Sequence, residues 1–384
     1  MPVTGPAVGD RAASRPDRQA LLRGAVRRMR EYQPVATAEQ VAARYGLAPE
    51  RVVKLDANEN PYGPSPRTVA ALATLRNVER YPAAYQSELA VALGGYAGVP
   101  PDRLVVGSGS DELLDLVTRA VIEPGDRVVT AGPTFDMYRF YGELAGGEVL
   151  DITRDAVFDI QWSQLQAAAE EAKLLFLAAP NNPTGNGLDQ GQLEELLRQN
   201  CLVVVDEAYY EFSGQTAVGL CARHDNLVVL RSLSKWAGLA GLRIGYGILP
   251  PWLAAAVMKI KTPYTVGVAA TVATLATLQD LEERGEKIAR LTEERGRLHE
   301  TLGTTRLLLP FPSEANFLLC RVESAAATTV QEGLARRGIF VRRFSHEAIA
   351  HCLRISVGLP EHTDALLAAV REIEDEIPSP SGRG

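Results

Sequence analysis

Arg231-Ser-Leu-Ser-Lys-Trp-Ala-Gly-Leu-Ala-Gly-Leu-Arg-Ile-Gly-Tyr-Gly247 carries one amine, Lys235, between an apolar run and a turn rich in glycine. Upstream, Asn226-Leu-Val-Val-Leu230 has the length and composition of a buried strand. Downstream, Ala237, Gly238, Ala240 and Gly241 are small, which lets backbone approach backbone or a flat ligand closely. A lysine of ordinary pKa, near ~10.4, is a poor nucleophile at neutral pH, so one at a strand end matters chemically when a carbonyl group meets it. Ser232, Ser234 and Arg243 put two hydroxyls and a guanidinium fork on the same loop, a donor set for a phosphate. Taken alone, Ser-Leu-Ser-Lys is more often an exposed loop lysine, with the arginine in a surface ion pair.

The order Ser-x-Ser-Lys, glycine-rich turn, then Arg243 eight positions on resembles the cofactor-lysine loop of fold-type-I pyridoxal-phosphate aminotransferases. The wording Leu-Ser-Lys-Trp-Ala-Gly-Leu-Ala-Gly-Leu-Arg-Ile-Gly-Tyr is similar to that of the histidinol-phosphate aminotransferase branch. Pyridoxal 5'-phosphate supplies both the carbonyl and the phosphate that the loop is built to meet. Ser232-Leu-Ser-Lys235 also fits the Ser-x-x-Lys of penicillin-recognising hydrolases, but the Ser-Asp-Asn and Lys-Thr-Gly those enzymes need are missing.

At 384 residues the chain exceeds what one core usually serves, so two domains, or one large α/β domain with a satellite, are expected. A net charge of −7 argues against general nucleic-acid binding and leaves room for a local cationic pocket. Cys201, Cys221, Cys320 and Cys352 are widely spaced with no Cys-x-x-Cys, which fits free thiols in a reducing compartment. No run reaches the length of a membrane span and the N-terminus lacks a signal-peptide core, so a cytoplasmic protein without membrane contact is expected. His346 and His351 stand five apart, which turns the second ring about 140° around a helix, away from a shared metal. No metal site is expected.

Strands alternate with helices from about 66 to 265, which describes an open, mostly parallel sheet sandwiched by helices, with its ligand at the strand ends. A smaller α+β domain should complete the α/β fold. The expected organisation is a mobile arm over 1–29, part of the small domain over 30–60, the large cofactor-binding domain over 61–265, an interdomain helix and C-terminal small domain over 266–376, and a disordered tail over 377–384. Thr37 should cap a short helix ending at Gly46, and Gln192 to Arg198 should form another. One long helix is expected from Ala269 to about Leu302, then an alternating strand in Ser313 to Cys320. Gly338 to Arg342 and Cys352 to Val357 should be paired strands.

The resemblance runs in matched order from about Tyr32 to Leu359 and implies roles for particular residues. Gly109, Ser110 and Asp111, at a strand-to-helix turn, would cap the helix over the cofactor phosphate, as glycine turns at helix N-termini do for anions. Phe135 would stack on the pyridine ring; on the residues alone it is as readily core packing. Asn182 and Tyr209 would meet the ring's phenolic oxygen. Asp206 ends the apolar run Cys201-Leu-Val-Val-Val205, where an unpaired carboxylate is expensive, and a protonated pyridine nitrogen is the expected counterpart. Tyr81, in Arg80-Tyr81-Pro82, would reach the neighbouring subunit's cofactor phosphate in a homodimer; alone it reads better as a turn aromatic. Asn58 lies in Asp56-Ala-Asn-Glu-Asn-Pro-Tyr-Gly-Pro-Ser-Pro66, which resembles the segment lining the substrate mouth. Arg354, Arg342 and Tyr32 match substrate contacts, although Arg342 could equally be an edge-strand solubilising charge and Tyr32 an anchor of the arm. Thr265 stands where the family commonly has Asn.

The implied activity is amino transfer between histidinol phosphate and 2-oxoglutarate, two small molecules, in histidine biosynthesis. Lys235 would hold the cofactor and then move a proton at the reacting carbon. An aromatic or broad aminotransferase, or a threonine-phosphate decarboxylase of the same fold, would use almost every residue named. A cofactor-binding sensor of a transcription regulator would need a DNA-binding module, for which the residues before Tyr32 are too few.

Overall fold

The computed structural model describes residues 18–29, 31 and 34–377. Its strands are β1 (Val53–Leu55), β2 (Leu104–Gly107), β3 (Arg127–Gly132), β4 (Glu148–Thr153), β5 (Leu174–Ala178), β6 (Leu202–Asp206), β7 (Leu227–Ser232), β8 (Gly245–Ile248), β9 (Leu308–Pro310), β10 (Phe317–Val322), β11 (Ile339–Arg343) and β12 (Cys352–Ser356). Seven form one sheet in the order β2-β8-β7-β6-β5-β3-β4, and five form another in the order β1-β11-β12-β10-β9. In the larger sheet β8 runs antiparallel to β2 and β7, and every other pairing is parallel.

β5 and β6 are buried at every position, so their sequences are continuous apolar runs rather than alternating ones. The alternation is still there, between two cores. Val203 and Val205 enter one cluster and Val204 the other, and Leu175 and Leu177 are likewise separated from Leu174 and Phe176. Each such side chain is worth about 1.5–3 kcal/mol when fully buried, so a one-residue slip, which exchanges the faces, is strongly disfavoured. The resulting register sets Ala178 beside Asp206 and Asp206 beside Leu230, so β5, β6 and β7 finish at one edge. Ligands of open parallel sheets sit at that edge.

The smaller sheet borrows β1 from the N-terminal side of the chain and pairs it parallel to β11. One core cluster runs through both sheets, joining Val205 and Val229 to Phe317, Leu353 and Ile355. Thr37 forms a capping box with Gln40, and Gly46 ends that helix in the left-handed conformation. The four cysteines are buried and free. Among the described residues no helix is long and apolar enough to cross a membrane.

Three elements differ from the reading of the sequence. The single long helix is two, Val268–Leu278 and Leu281–Leu302. The amides of Gln279 and Asp280 bond to Ala276 and Thr277, tightening the last turn, and Asp280 takes the cap position that aspartate prefers to a helix interior. The expected Gln192–Arg198 helix starts earlier, at Gln190, because Asp189 accepts from the Gln192 amide and caps it. β10 does not alternate: only Arg321 is exposed, because Phe158 and Ile349 pack against Leu319 on the face expected to meet water.

Candidate active site

β7 ends at Ser232, and the chain then turns through Ser234 and Lys235. Gly238 allows the turn: its φ is +67°, and a Cβ there would lie 2.4 Å from the carbonyl carbon of Gly63. Lys235 Nζ donates to the carbonyl of Ala57 at 3.1 Å. Burial, reinforced by the Arg354 guanidinium, brings its amine down to about 8. Such an amine is a nucleophile and base near neutral pH.

Asp206 ends β6 against the same cavity and is buried. Its Oδ2 accepts from Tyr138 Oη and its Oδ1 from the Ala208 amide, both at 3.0 Å. Neither donor is a cation, and burial pushes the carboxyl up to about 6. The next residue, Glu207, is treated differently. It forms a buried ion pair with Arg231 at 3.0 Å and turns away into the core.

Asn58 joins the two sheets. It adopts φ +53°, a conformation asparagine tolerates, and its Nδ2 donates to Tyr209 Oη at 3.0 Å. Its amide donates to Ser356 Oγ, whose hydroxyl returns a bond to Asn58 Oδ1 at 2.8 Å. Arg354, on β12, donates to Asn182 Oδ1 and to the Asp56 carbonyl, both at 2.6 Å. Phe135 forms a wall of the cavity, edge-on to Tyr138 with ring centroids 5.6 Å apart.

An anion cradle closes the other end. The helix Gly109–Val121 begins with Gly109 at φ +79°, where a Cβ would lie 2.6 Å from Arg243 Nη2. Arg243 reaches Asp111 at 3.0 Å and Ser234 Oγ at 3.4 Å. Ser110, Asp111, Ser232, Ser234 and Arg243 all line the cavity, of about 250 Å³. Glu112 accepts from the Ser108 amide at 2.5 Å and pairs with the buried Lys261, which in turn donates to Thr265 Oγ1. A polar loop contact is thus kept with Thr265.

The cavity brings together Asn58, Phe135, Asn182, Tyr209, Arg342 and Arg354 with Lys235 and Asp206. Tyr81 is not among its walls: it is 83% exposed and stacks on Tyr264 at 4.9 Å. Tyr32 lies outside the described residues. The sequence reading missed Tyr138, Asp56, Ser356 and Phe344. Of these, Tyr138 carried a signal, an aromatic hydroxyl in the run Pro133-Thr-Phe-Asp-Met-Tyr138 that follows a buried strand. Among the described residues no group of side chains fits a metal ion.

The arrangement fits pyridoxal phosphate. A buried carboxylate without a cationic donor, an amine of lowered pKa and a cradle of hydroxyls, guanidinium and helix N-terminus are what a protonated pyridine, a carbonyl and a phosphate each require.

The family model for aminotransferase class I and II matches residues 50–372. The chain is 47% identical to histidinol-phosphate aminotransferase of Roseiflexus castenholzii, over 92% of this chain and 98% of that protein. It is 45% identical to the enzyme of the same name from Dehalococcoides mccartyi, over 84% of this chain and 90% of that one. Its fold superposes on the crystal structure of histidinol-phosphate aminotransferase from Sinorhizobium meliloti in complex with pyridoxal-5'-phosphate with a TM-score of 0.85, at 26% identity, covering 93% of this chain and 98% of the other. The chain belongs to the class I and II aminotransferases.

Proposed function

We propose that this chain transfers the amino group of L-histidinol phosphate to 2-oxoglutarate, giving imidazole acetol phosphate and glutamate, with pyridoxal phosphate as cofactor. The observation that carries the reading is the pair Arg342 and Arg354, side by side on the small sheet and lining the cavity that holds Lys235. Histidinol phosphate bears a phosphate where glutamate bears a carboxylate, so one cationic site has to accept both. The relatives named above bear the name of this activity, which supports the reading.

Bound cofactor would supply an electron sink for the carbanion left when the reacting carbon loses its proton. Lys235 would hold the cofactor through Nζ and, once the substrate amine has displaced it, the freed Nζ would take and return that proton, as its lowered pKa allows. Asp206 would hold the ring nitrogen and favour its protonated form. Asn182 and Tyr209 would meet the phenolic oxygen, and Ser110, Asp111, Ser232, Ser234 and Arg243, with Gly109, would hold the phosphate. Phe135 would cover the ring. Asn58, Arg342, Arg354 and Tyr32 bind substrate.

The reading includes a cytoplasmic homodimer in which Tyr81 serves the other subunit's phosphate site, supported by its exposure and its stack on Tyr264. It also keeps the division into an arm to 29, small-domain parts over 30–60 and 266–376, and a large domain over 61–265. The test is amino transfer from histidinol phosphate to 2-oxoglutarate, run beside phenylalanine as donor and beside carbon dioxide release from threonine phosphate. Faster turnover of either competitor would replace this substrate assignment.

A further inference from the structure

Tyr138 is fully buried at the start of the helix Met137–Ala145, with its ring stacked on Phe176 at 5.1 Å and an interplanar angle of 8°. This packing fixes the direction of its hydroxyl, which donates to Asp206 Oδ2 at 3.0 Å. With the Ala208 amide on Oδ1, each carboxylate oxygen accepts one bond from a neutral donor and keeps a lone pair for the cavity. The charged neighbours offer Asp206 little help. Asp111 on the helix Gly109–Val121 and Glu207 next in the chain both oppose its ionisation, and Tyr209 lies on the following turn. Lys235, Arg243 and Arg354 enter from other walls, and Arg154, the residue after β4, approaches the Tyr138 side. Hydrogen bonds to the charged form are what offset burial at such a carboxyl.

We propose that Tyr138 is a positioning residue that keeps Asp206 ionised and aimed at the pyridine nitrogen, and so sets the lower pH limit at which the chain retains its cofactor. The inference rests on reading the cavity as a pyridoxal-phosphate site. Losing a hydrogen bond to a buried carboxylate should raise its pKa by about one unit or more.

The experiment measures pyridoxal-phosphate affinity of the cofactor-free protein by fluorescence quenching from pH 5 to 8. The proteins are the parent, Tyr138→Phe, Asp206→Asn and a parent carrying 3,5-difluorotyrosine at 138. The parent should lose affinity on the acid side. Tyr138→Phe should move that limb upward by about one pH unit or more, with kcat reduced and the KM for the amino donor little changed. Difluorotyrosine, a stronger donor of nearly the same shape, should move the limb downward. If Tyr138→Phe is folded by circular dichroism and keeps the parent profile, the inference is overturned. If it does not fold, the difluorotyrosine protein decides alone, and an unmoved or raised limb overturns the inference. A parent that binds no pyridoxal phosphate overturns the cofactor reading and this inference with it. A parent limb that Asp206→Asn abolishes and Tyr138→Phe leaves in place overturns the inference alone.

Discussion

Arg342 stands directly opposite Arg354 across the antiparallel pair β11 and β12, so both side chains leave the same face of the small sheet. Like charges placed opposite each other repel, and here both guanidiniums also lie near one ring, Phe344, at 5.9 and 5.6 Å. Arg354 is held by Asn182 Oδ1 and the Asp56 carbonyl. An anion bound beside the pair would relieve the repulsion.

The two arginines should separate the substrates. Charge-assisted contacts to phosphate are worth about 1.5–3 kcal/mol, so Arg342→Ala should cost histidinol phosphate one to two powers of ten in kcat/KM and glutamate far less. Arg354→Ala should impair both, since it also releases Asn182. Single-turnover absorbance for each half-reaction measures this. Equal losses for both substrates in the Arg342 variant would favour a broad-specificity aminotransferase.

Borohydride treatment of the cofactor-loaded protein should fix the cofactor on Lys235, readable by peptide mass, and Lys235→Ala should abolish turnover. In the cofactor-free protein the Lys235 amine, near 8 rather than the ordinary 10.5, has a depressed pKa. The folded state therefore carries a burial penalty that is fully present below pH 8 and is relieved as pH rises toward 10.5. Lys235→Met should melt higher than the parent at pH 7 and lose that advantage by pH 10.5. A variant that melts lower at pH 7 contradicts the burial argument.

Asp206→Ala should lose several powers of ten in rate with the fold intact, because its charge serves the cofactor and not the packing. Stability should move the other way. The folded pKa of about 6 lies above the ordinary 3.8, so the cost of the buried carboxylate appears between those values and is complete above pH 6. Cofactor-free Asp206→Asn should therefore melt above the parent at pH 7.5 and match it near pH 4. An Asp206→Ala protein unfolded by circular dichroism would remove the support for this role.

β5, β6 and β7 were legible because burial on both faces leaves uninterrupted apolar runs, and a polar residue closing such a run, Asp206, stands out. Lys235 was legible through the loop around it. The break at Asp280 was not, because Leu281-Glu-Glu continues with ordinary helix formers. Nor was the cover on β10, which Phe158 brings from a distant part of the chain. The bonds that aim the site, Tyr138 to Asp206 and Asn58 to Tyr209 and Ser356, join residues far apart in sequence. Periodicity carries no information about such pairs.

Tyr81 should serve the other subunit. Lys235→Ala chains refolded with Tyr81→Phe chains should form mixed dimers with one site free of both lesions, and activity should exceed that of either parent preparation. Absence of complementation in verified mixed dimers would assign Tyr81 to its own subunit's site or to its stack on Tyr264.

Gly238→Ala should couple stability to cofactor affinity. Two independent penalties meet at this position. A φ of +67° costs a residue with a Cβ about 1–2 kcal/mol, and the new Cβ would sit 2.4 Å from the Gly63 carbonyl carbon. The obstacle is backbone, so relief requires moving the segment that carries Asn58. That segment is pinned elsewhere: Lys287 Nζ holds the Gly63 and Pro64 carbonyls at 3.1 and 2.9 Å, and Asn60 Nδ2 holds the Trp236 carbonyl at 2.9 Å. Displacement therefore reaches Lys235 and the mouth together. The variant should melt several degrees lower and bind pyridoxal phosphate more weakly. Gly241→Ala, in the same turn but with nothing within 4 Å of the added carbon, is the control and should stay near the parent in both measurements. If the two variants behave alike, close approach at Gly238 is not what shapes the loop.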